Sequence, residues 1–169
     1  MESGFKKGDL VVYGTSGVCV LEDICEMNLG GDTHMYYILK PKSNGGSTVF
    51  VPCDNDLLKA KLRYVLTKDE IEAILRGVKN HDIDWIVDRR KRGESFKEII
   101  VCGVKGEMLS MIRCLHQRRY ELAKQSKKLS TSDEGFLKTA EKLVSEELGF
   151  ALGIPANDVG EYIRNIVEM

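Results

Sequence analysis

Apolar residues in the first 60 positions come in short runs separated by glycine-rich gaps. The runs are Asp9-Leu10-Val11-Val12-Tyr13, Val18-Cys19-Val20-Leu21 continuing to about Ile24, Met35-Tyr36-Tyr37-Ile38-Leu39, and Thr48-Val49-Phe50-Val51-Pro52. The gaps are Gly14-Thr15-Ser16-Gly17, Asn28-Leu29-Gly30-Gly31-Asp32 and Ser43-Asn44-Gly45-Gly46-Ser47. Glycine reaches the positive φ of tight turns at little steric cost. Short strands at this spacing predict a small antiparallel barrel or sheet. Pro52 suits a strand end, because proline cannot donate to a ladder.

Beyond residue 60 the apolar period lengthens to that of helices. Thr67-Lys68-Asp69-Glu70 has the form of a capping box, and a short helix should follow to about Gly77. A second helix is expected from about Asp82 to Cys102, and a third from Lys105 to Lys127 with Met108, Met111, Ile112 and Leu115 on one stripe. Thr131-Ser132-Asp133-Glu134 reads as another capping box. It opens a fourth helix with Phe136, Leu137, Ala140, Val144, Leu148 and Ala151 at helical spacing, stopped by Gly153. Pro155 suits the first turn of a last helix that reads Val159, Tyr162, Ile163 and Ile166. The fold class is therefore α+β: a β module over 1–60 and an all-α module of about five helices over 61–169.

Composition narrows the function. The 169 residues are 43% hydrophobic and 30% charged, ordinary for a chain that buries a core. No stretch approaches the roughly 20 apolar residues of a membrane span, and Met1–Asp9 has no apolar signal core, so the expected compartment is the cytoplasm. The five cysteines (Cys19, Cys25, Cys53, Cys102, Cys114) are odd in number and scattered, with no C-x-x-C pair. That argues against a disulfide framework or a zinc site and for core positions in a reducing compartment. The net charge of −1 conceals an asymmetry. Residues 1–60 hold 5 basic and 8 acidic side chains, residues 61–130 hold 17 and 10, and residues 131–169 hold 3 and 8. A basic middle can hold a local anionic partner. It can equally be a solvated helical surface.

Enzyme chemistry has little support. His34, His81 and His116 are not in metal-ligand spacing, and there is no Walker loop, no nucleophile elbow and no cofactor fingerprint. No Cys–His pair is favoured over another as a nucleophile. The reading is a non-enzyme with no catalytic residue, no metal and no cofactor.

The single tryptophan, Trp85, precedes the basic run Arg89-Arg90-Lys91-Arg92. On a helix through this region Ile83, Ile86 and Val87 share one face. Trp85 falls on the other, beside Arg89 and Arg92. An aromatic flanked by cations suits insertion at a nucleic-acid groove, with the arginines on phosphates. The alternatives are that Trp85 packs on another helix, toward Phe96, Ile99 and Ile100, and that the charge run is a solvated face with Asp84 or Asp88 pairing with Arg92. Gln117-Arg118-Arg119-Tyr120, with Lys124, Lys127 and Lys128, forms a second candidate patch, the alternative being plain surface. In the β module, one side chain of Val49-Phe50-Val51 must point outward, and an apolar edge strand is a template for a partner. A fully buried strand reads the same way.

These residues together resemble a known family. Phe5-Lys6-Lys7-Gly8-Asp9-Leu10-Val11-Val12-Tyr13, Gly17-Val18, Tyr36-Tyr37-Ile38-Leu39 and Val49-Phe50-Val51-Pro52 resemble the RNA polymerase-interacting domain shared by CarD, CdnL and the transcription-repair coupling factor. Trp85-Ile86 with Arg89-Arg90, Phe96-Lys97-Glu98-Ile99-Ile100, Gly103 and Leu143–Leu148 resemble the CarD/CdnL helical domain. The resemblance implies a Tudor-like barrel that binds the RNA polymerase β subunit. It also implies a helical domain on promoter DNA at the upstream edge of the bubble, with Trp85 in the minor groove slowing bubble collapse. Implied DNA contacts are Trp85, Arg89, Arg90, Arg92, Arg118 and Arg119, with weak sequence specificity. The implied polymerase contacts are Met27, Val49, Phe50, Val51 and Pro52. The family carries arginines near Met27 and Phe50, so docking here should be more apolar. The chain would act as a monomeric regulator, nucleoid-associated through polymerase. The alternative is an adaptor on polymerase with no DNA role.

Overall fold

The computed structural model describes residues 4–43 and 47–168. Part of the expected turn at 43–47 lies outside the described residues. The chain forms two compact units, Met1–Val65 and Leu66–Met169.

The first unit is a five-stranded antiparallel sheet in the order β4-β3-β2-β1-β5. Its strands are β1 (Leu10–Tyr13), β2 (Val18–Leu29), β3 (Asp32–Pro41), β4 (Val49–Pro52) and β5 (Leu62–Tyr64), with a single-turn helix α1 (Asp56–Lys59) before β5. All four expected strands are present, and β2 and β3 run longer than expected. They meet in a hairpin at Gly30-Gly31, where φ is 79° and 104°. A two-residue loop with positive φ at both positions matches the twist of paired strands, and glycine supplies it. A register shift between Leu21 and Asp23 marks a bulge in β2. Val11, Cys19, Leu21, Tyr37, Leu39, Val51 and Leu62 form the core of this unit.

The expected boundary at 60/61 lies at 65/66 instead. β5 pairs with β1 (Val11 opposite Tyr64, Tyr13 opposite Leu62) and buries Leu62 in the sheet core. Three residues are too few to show an alternation of their own; the pairing makes them a strand.

The second unit holds α2 (Lys68–Val78), α3 (Arg89–Cys102), α4 (Lys105–Lys124), α5 (Thr131–Leu152) and α6 (Ala156–Glu168). Thr67 and Glu70 form the expected capping box on α2, each side chain satisfying the other's backbone N–H. The α4 and α5 stripes are buried as their spacing predicts: Met108, Met111 and Leu115 on one, Leu137, Ala140, Val144 and Leu148 on the other. Ile112, Phe136 and Ala151 are half-buried against the same core. Gly153 ends α5 in the left-handed conformation, φ 68°. α4 ends at Lys124 rather than Lys127, just before Ser126, which takes φ 57°. A buried ion pair, Lys105 Nζ to Glu147 Oε2 at 3.2 Å, ties α4 to α5, and Glu147 Oε1 accepts from the Leu66 N–H. No helix among the described residues is long and apolar enough to cross a membrane.

Two helix starts differ from expectation. The cap of α5 is Ser130, whose hydroxyl accepts from the Asp133 N–H at 3.2 Å, so the helix begins one residue earlier than a Thr131 cap would set it. More consequentially, α3 starts at Arg89, not at Asp82. Asp88 takes extended angles, and its carboxylate accepts from the Lys91 N–H at 2.8 Å. Aspartate competes for backbone donors and favours caps over helix interiors, and Ile83, Ile86 and Val87 are weak helix formers. Residues 81–87 therefore carry no regular secondary structure.

Candidate functional site

The helical-wheel placement of Trp85 falls with the first turns of that expected helix. Trp85 sits on the irregular segment leading into α3, half-buried against the helical core. Its ring meets Phe96 edge-on at 6.5 Å, and Phe96 in turn meets Phe136 at 5.9 Å. Two guanidinium groups lie over it: Arg92 Cζ is 4.3 Å from the ring centroid and Arg118 Cζ is 5.2 Å. Cations over an indole face are attracted by its quadrupole. Val87, which a helix would have turned inward with Ile83 and Ile86, is 85% exposed.

The four basic residues at the start of α3 separate into two kinds. Arg89, Arg90 and Lys91 are exposed, with Arg89 donating to Ser132 Oγ at 3.3 Å and Arg90 to Glu94 at 3.1 Å. Arg92 is buried, 6% exposed. Its Nε and Nη2 donate to the two carboxylate oxygens of Asp133 at 3.0 and 2.8 Å. Its Nη1 donates to the carbonyls of Ile86 and Val87 at 2.9 and 3.3 Å. The partner of Arg92 is thus neither Asp84 nor Asp88, because Asp88 is spent on capping α3. Asp133 also accepts from Ser130 Oγ at 2.7 Å. Burial pushes the Asp133 carboxyl upward, but hydrogen bonds from Arg92 and Ser130 and the charges of Arg92 and Arg89 outweigh it. The carboxyl is held below its ordinary 3.8.

The second expected patch is largely paired. Arg118 reaches Glu121 at 3.4 Å as well as covering Trp85, and Arg119 pairs with Glu134. Of the six residues expected at DNA, Trp85, Arg92 and Arg118 are brought together, Arg89 and Arg90 stand outward at the same end of α3, and Arg119 is engaged with α5. The position of Arg92 had no local signal, since its partner lies 41 residues away.

The sheet sorts the residues expected to dock into two faces. Phe50 stands opposite Ile38, Pro52 opposite Tyr36, Cys25 opposite Tyr36 and Met27 opposite His34. Cross-strand partners share a face. Met27, Cys25, Tyr36, Ile38, Phe50 and Pro52 therefore share the face away from the core, with Phe50 43% exposed on edge strand β4, Tyr36 buried and the others half-buried. Val49 and Val51 point the other way. Val51 is fully buried and Val49 is half-buried against the sheet core, so neither presents a side chain on that face. His34 Nδ1 lies 2.7 Å from Asp54 at one end of it.

The cysteines are less uniform than expected. Cys19 is buried, Cys25, Cys53 and Cys114 are half-buried, Cys102 is exposed, and none of them forms a disulfide. Burial pushes the Cys53 and Cys114 thiols above 9.0, and Asp84 and Glu121 push Cys114 further in the same direction. A thiol so shifted stays protonated and is a poor nucleophile near neutral pH. No cluster of three or more His, Cys, Asp or Glu side chains able to hold a metal occurs among the described residues.

No curated protein matches the chain. A family match falls on the β unit alone, and that family is a protein-interaction domain rather than a catalytic one. Residues 5–65 match the CarD-like/TRCF RID domain, the RNA polymerase-interacting module, and so carry the outward face of Phe50, Pro52 and Met27.

Proposed function

We propose that the chain is a transcription regulator that binds the RNA polymerase β subunit through residues 1–65 and promoter DNA through residues 66–169. It stabilises the open complex at the upstream edge of the bubble. The observation that carries the polymerase half of this reading is the CarD-like/TRCF RID match over residues 5–65. Met27, Phe50 and Pro52 supply the apolar docking face, with Cys25, Tyr36 and Ile38 beside them. The DNA half draws support from a partly exposed indole held at a surface that also presents Arg89, Arg90 and Lys91. Apolar wedges flanked by cations unstack a base step from the minor groove, while the cations contact phosphates without reading sequence. Affinity for DNA alone is then weak and salt-sensitive, and docking on polymerase raises the effective concentration. The protein acts in the cytoplasm as a monomer, on the nucleoid through polymerase.

A second reading, an adaptor on polymerase without a DNA role, draws on the ion pairs that occupy Arg92, Arg118 and Arg119 within the chain. The lifetime of a polymerase–promoter open complex, measured with the protein and with Trp85→Ala, separates the two. A longer lifetime that the variant loses supports the wedge. Equal lifetimes with and without the protein, despite binding to the β subunit, support the adaptor.

A further inference from the structure

We infer that Arg92 is the positioning residue for Trp85, and that the Arg92–Asp133 pair, not a contact between Arg92 and DNA, is the reason a buried arginine sits in the basic run. Residues 81–87 have no strand or helix to hold them. Buried or half-buried carbonyls in such a segment need donors from elsewhere. Arg92 Nη1 supplies one to the half-buried Ile86 at 2.9 Å and also reaches the carbonyl of the exposed Val87 at 3.3 Å. Its guanidinium lies over the Trp85 ring at 4.3 Å. The opposite edge of the same fork grips both oxygens of Asp133 on α5 at 3.0 and 2.8 Å. Asp133 is itself fixed by the Ser130 hydroxyl at 2.7 Å. One side chain therefore joins the Trp85 segment, α3 and the first turn of α5.

A planar fork is required for this. Lysine has one small donor group and cannot bridge a carboxylate, reach two carbonyls and cover an indole face together. With a side chain 7% exposed, Arg92 also has no surface left for a phosphate. The indole is held before any partner arrives, which lowers the ordering cost of binding. That the held indole is used on DNA rests on the function proposed above; that Arg92 holds it does not.

The chain has one tryptophan, so its fluorescence reads this site alone. Two variants of the full chain test the inference: Arg92→Lys, which keeps the charge, and the double variant Arg92→Met/Asp133→Leu, which removes both charges and leaves neither orphaned. Both should keep the far-ultraviolet circular dichroism of the parent, shift tryptophan emission to the red, and raise quenching by acrylamide. The slope of log K against log salt for DNA in the polymerase complex should not change in the double variant. Emission and quenching unchanged in Arg92→Lys would overturn the inference even if the double variant failed to fold. So would a salt slope lowered by about one, the mark of a lost phosphate contact. If Trp85→Ala leaves open complexes unaffected while the Arg92 variants release the indole, the DNA reading fails and the positioning role stands.

Discussion

Replacing Asp133 with alanine should destabilise the helical unit by about 3 kcal/mol. The Asp133 side chain is 5% exposed and that of Arg92 7%, so solvent screens the pair little. Two charge-assisted hydrogen bonds from Arg92 are lost, at 3.0 and 2.8 Å, together with the one from the Ser130 hydroxyl at 2.7 Å, which water can replace at that partly exposed residue. Each such bond contributes roughly 1.5–3 kcal/mol. Breaking a buried pair by removing one partner costs about 3–5 kcal/mol in other proteins, because a charge is left uncompensated. The carbonyls of Ile86 and Val87 still hold the guanidinium, which places the expected loss at the lower end. At a urea slope of about 2 kcal/mol per molar, the midpoint should fall by about 1.5 M. The assay is urea unfolding of the full chain followed by Trp85 fluorescence, which reports the helical unit because the only tryptophan lies in it. The same group predicts a pH dependence. Its folded carboxyl is held below 3.8, so its stabilisation is fully present above about pH 4. It is lost as the pH falls from there through the folded value. Asp133→Asn should flatten that acid limb. A loss below about 1 kcal/mol in Asp133→Ala, the range of exposed pairs, would refute the claim that this pair is buried and structural.

Two further outcomes test the surfaces. Phe50→Ala should leave sheet stability within about 0.5 kcal/mol and abolish binding to a β-subunit fragment, whereas Val51→Ala should cost about 2 kcal/mol in unfolding and leave binding intact once folded; calorimetric titration of both decides, and equal effects on binding would place the docking face elsewhere. Reversing Arg89 and Arg90 to glutamate should weaken DNA association of the polymerase complex and lower its salt slope by about two, with the fold unchanged; an unchanged slope favours the adaptor.

Much of the architecture is decided by interactions between near neighbours, and those are legible in the residues alone. The Thr67–Glu70 box closes within one helical turn. Gly30 and Gly31 permit the hairpin whatever surrounds them. The stripes Met108–Leu115 and Leu137–Leu148 can bury only one face of a helix. The β-then-α order, the five helices of the second unit and the stop at Gly153 follow from such local rules. Tertiary structure decided what depends on partners far along the chain. β5 is a strand because β1 pairs with it across some 50 residues. In the apolar run Val49-Phe50-Val51 every position could be core, and only the pairing with β3 turns Val51 inward and Phe50 outward. Arg92 reads as one of four equivalent cations until a carboxylate 41 residues away takes its fork. The same event leaves Trp85 on an irregular segment instead of a helix face, because Asp88 caps α3 and the carbonyls before it are satisfied by a side chain. Periodicity and capping act within a turn or two; ion pairing and sheet register act through space, and here they set which of the candidate residues face outward.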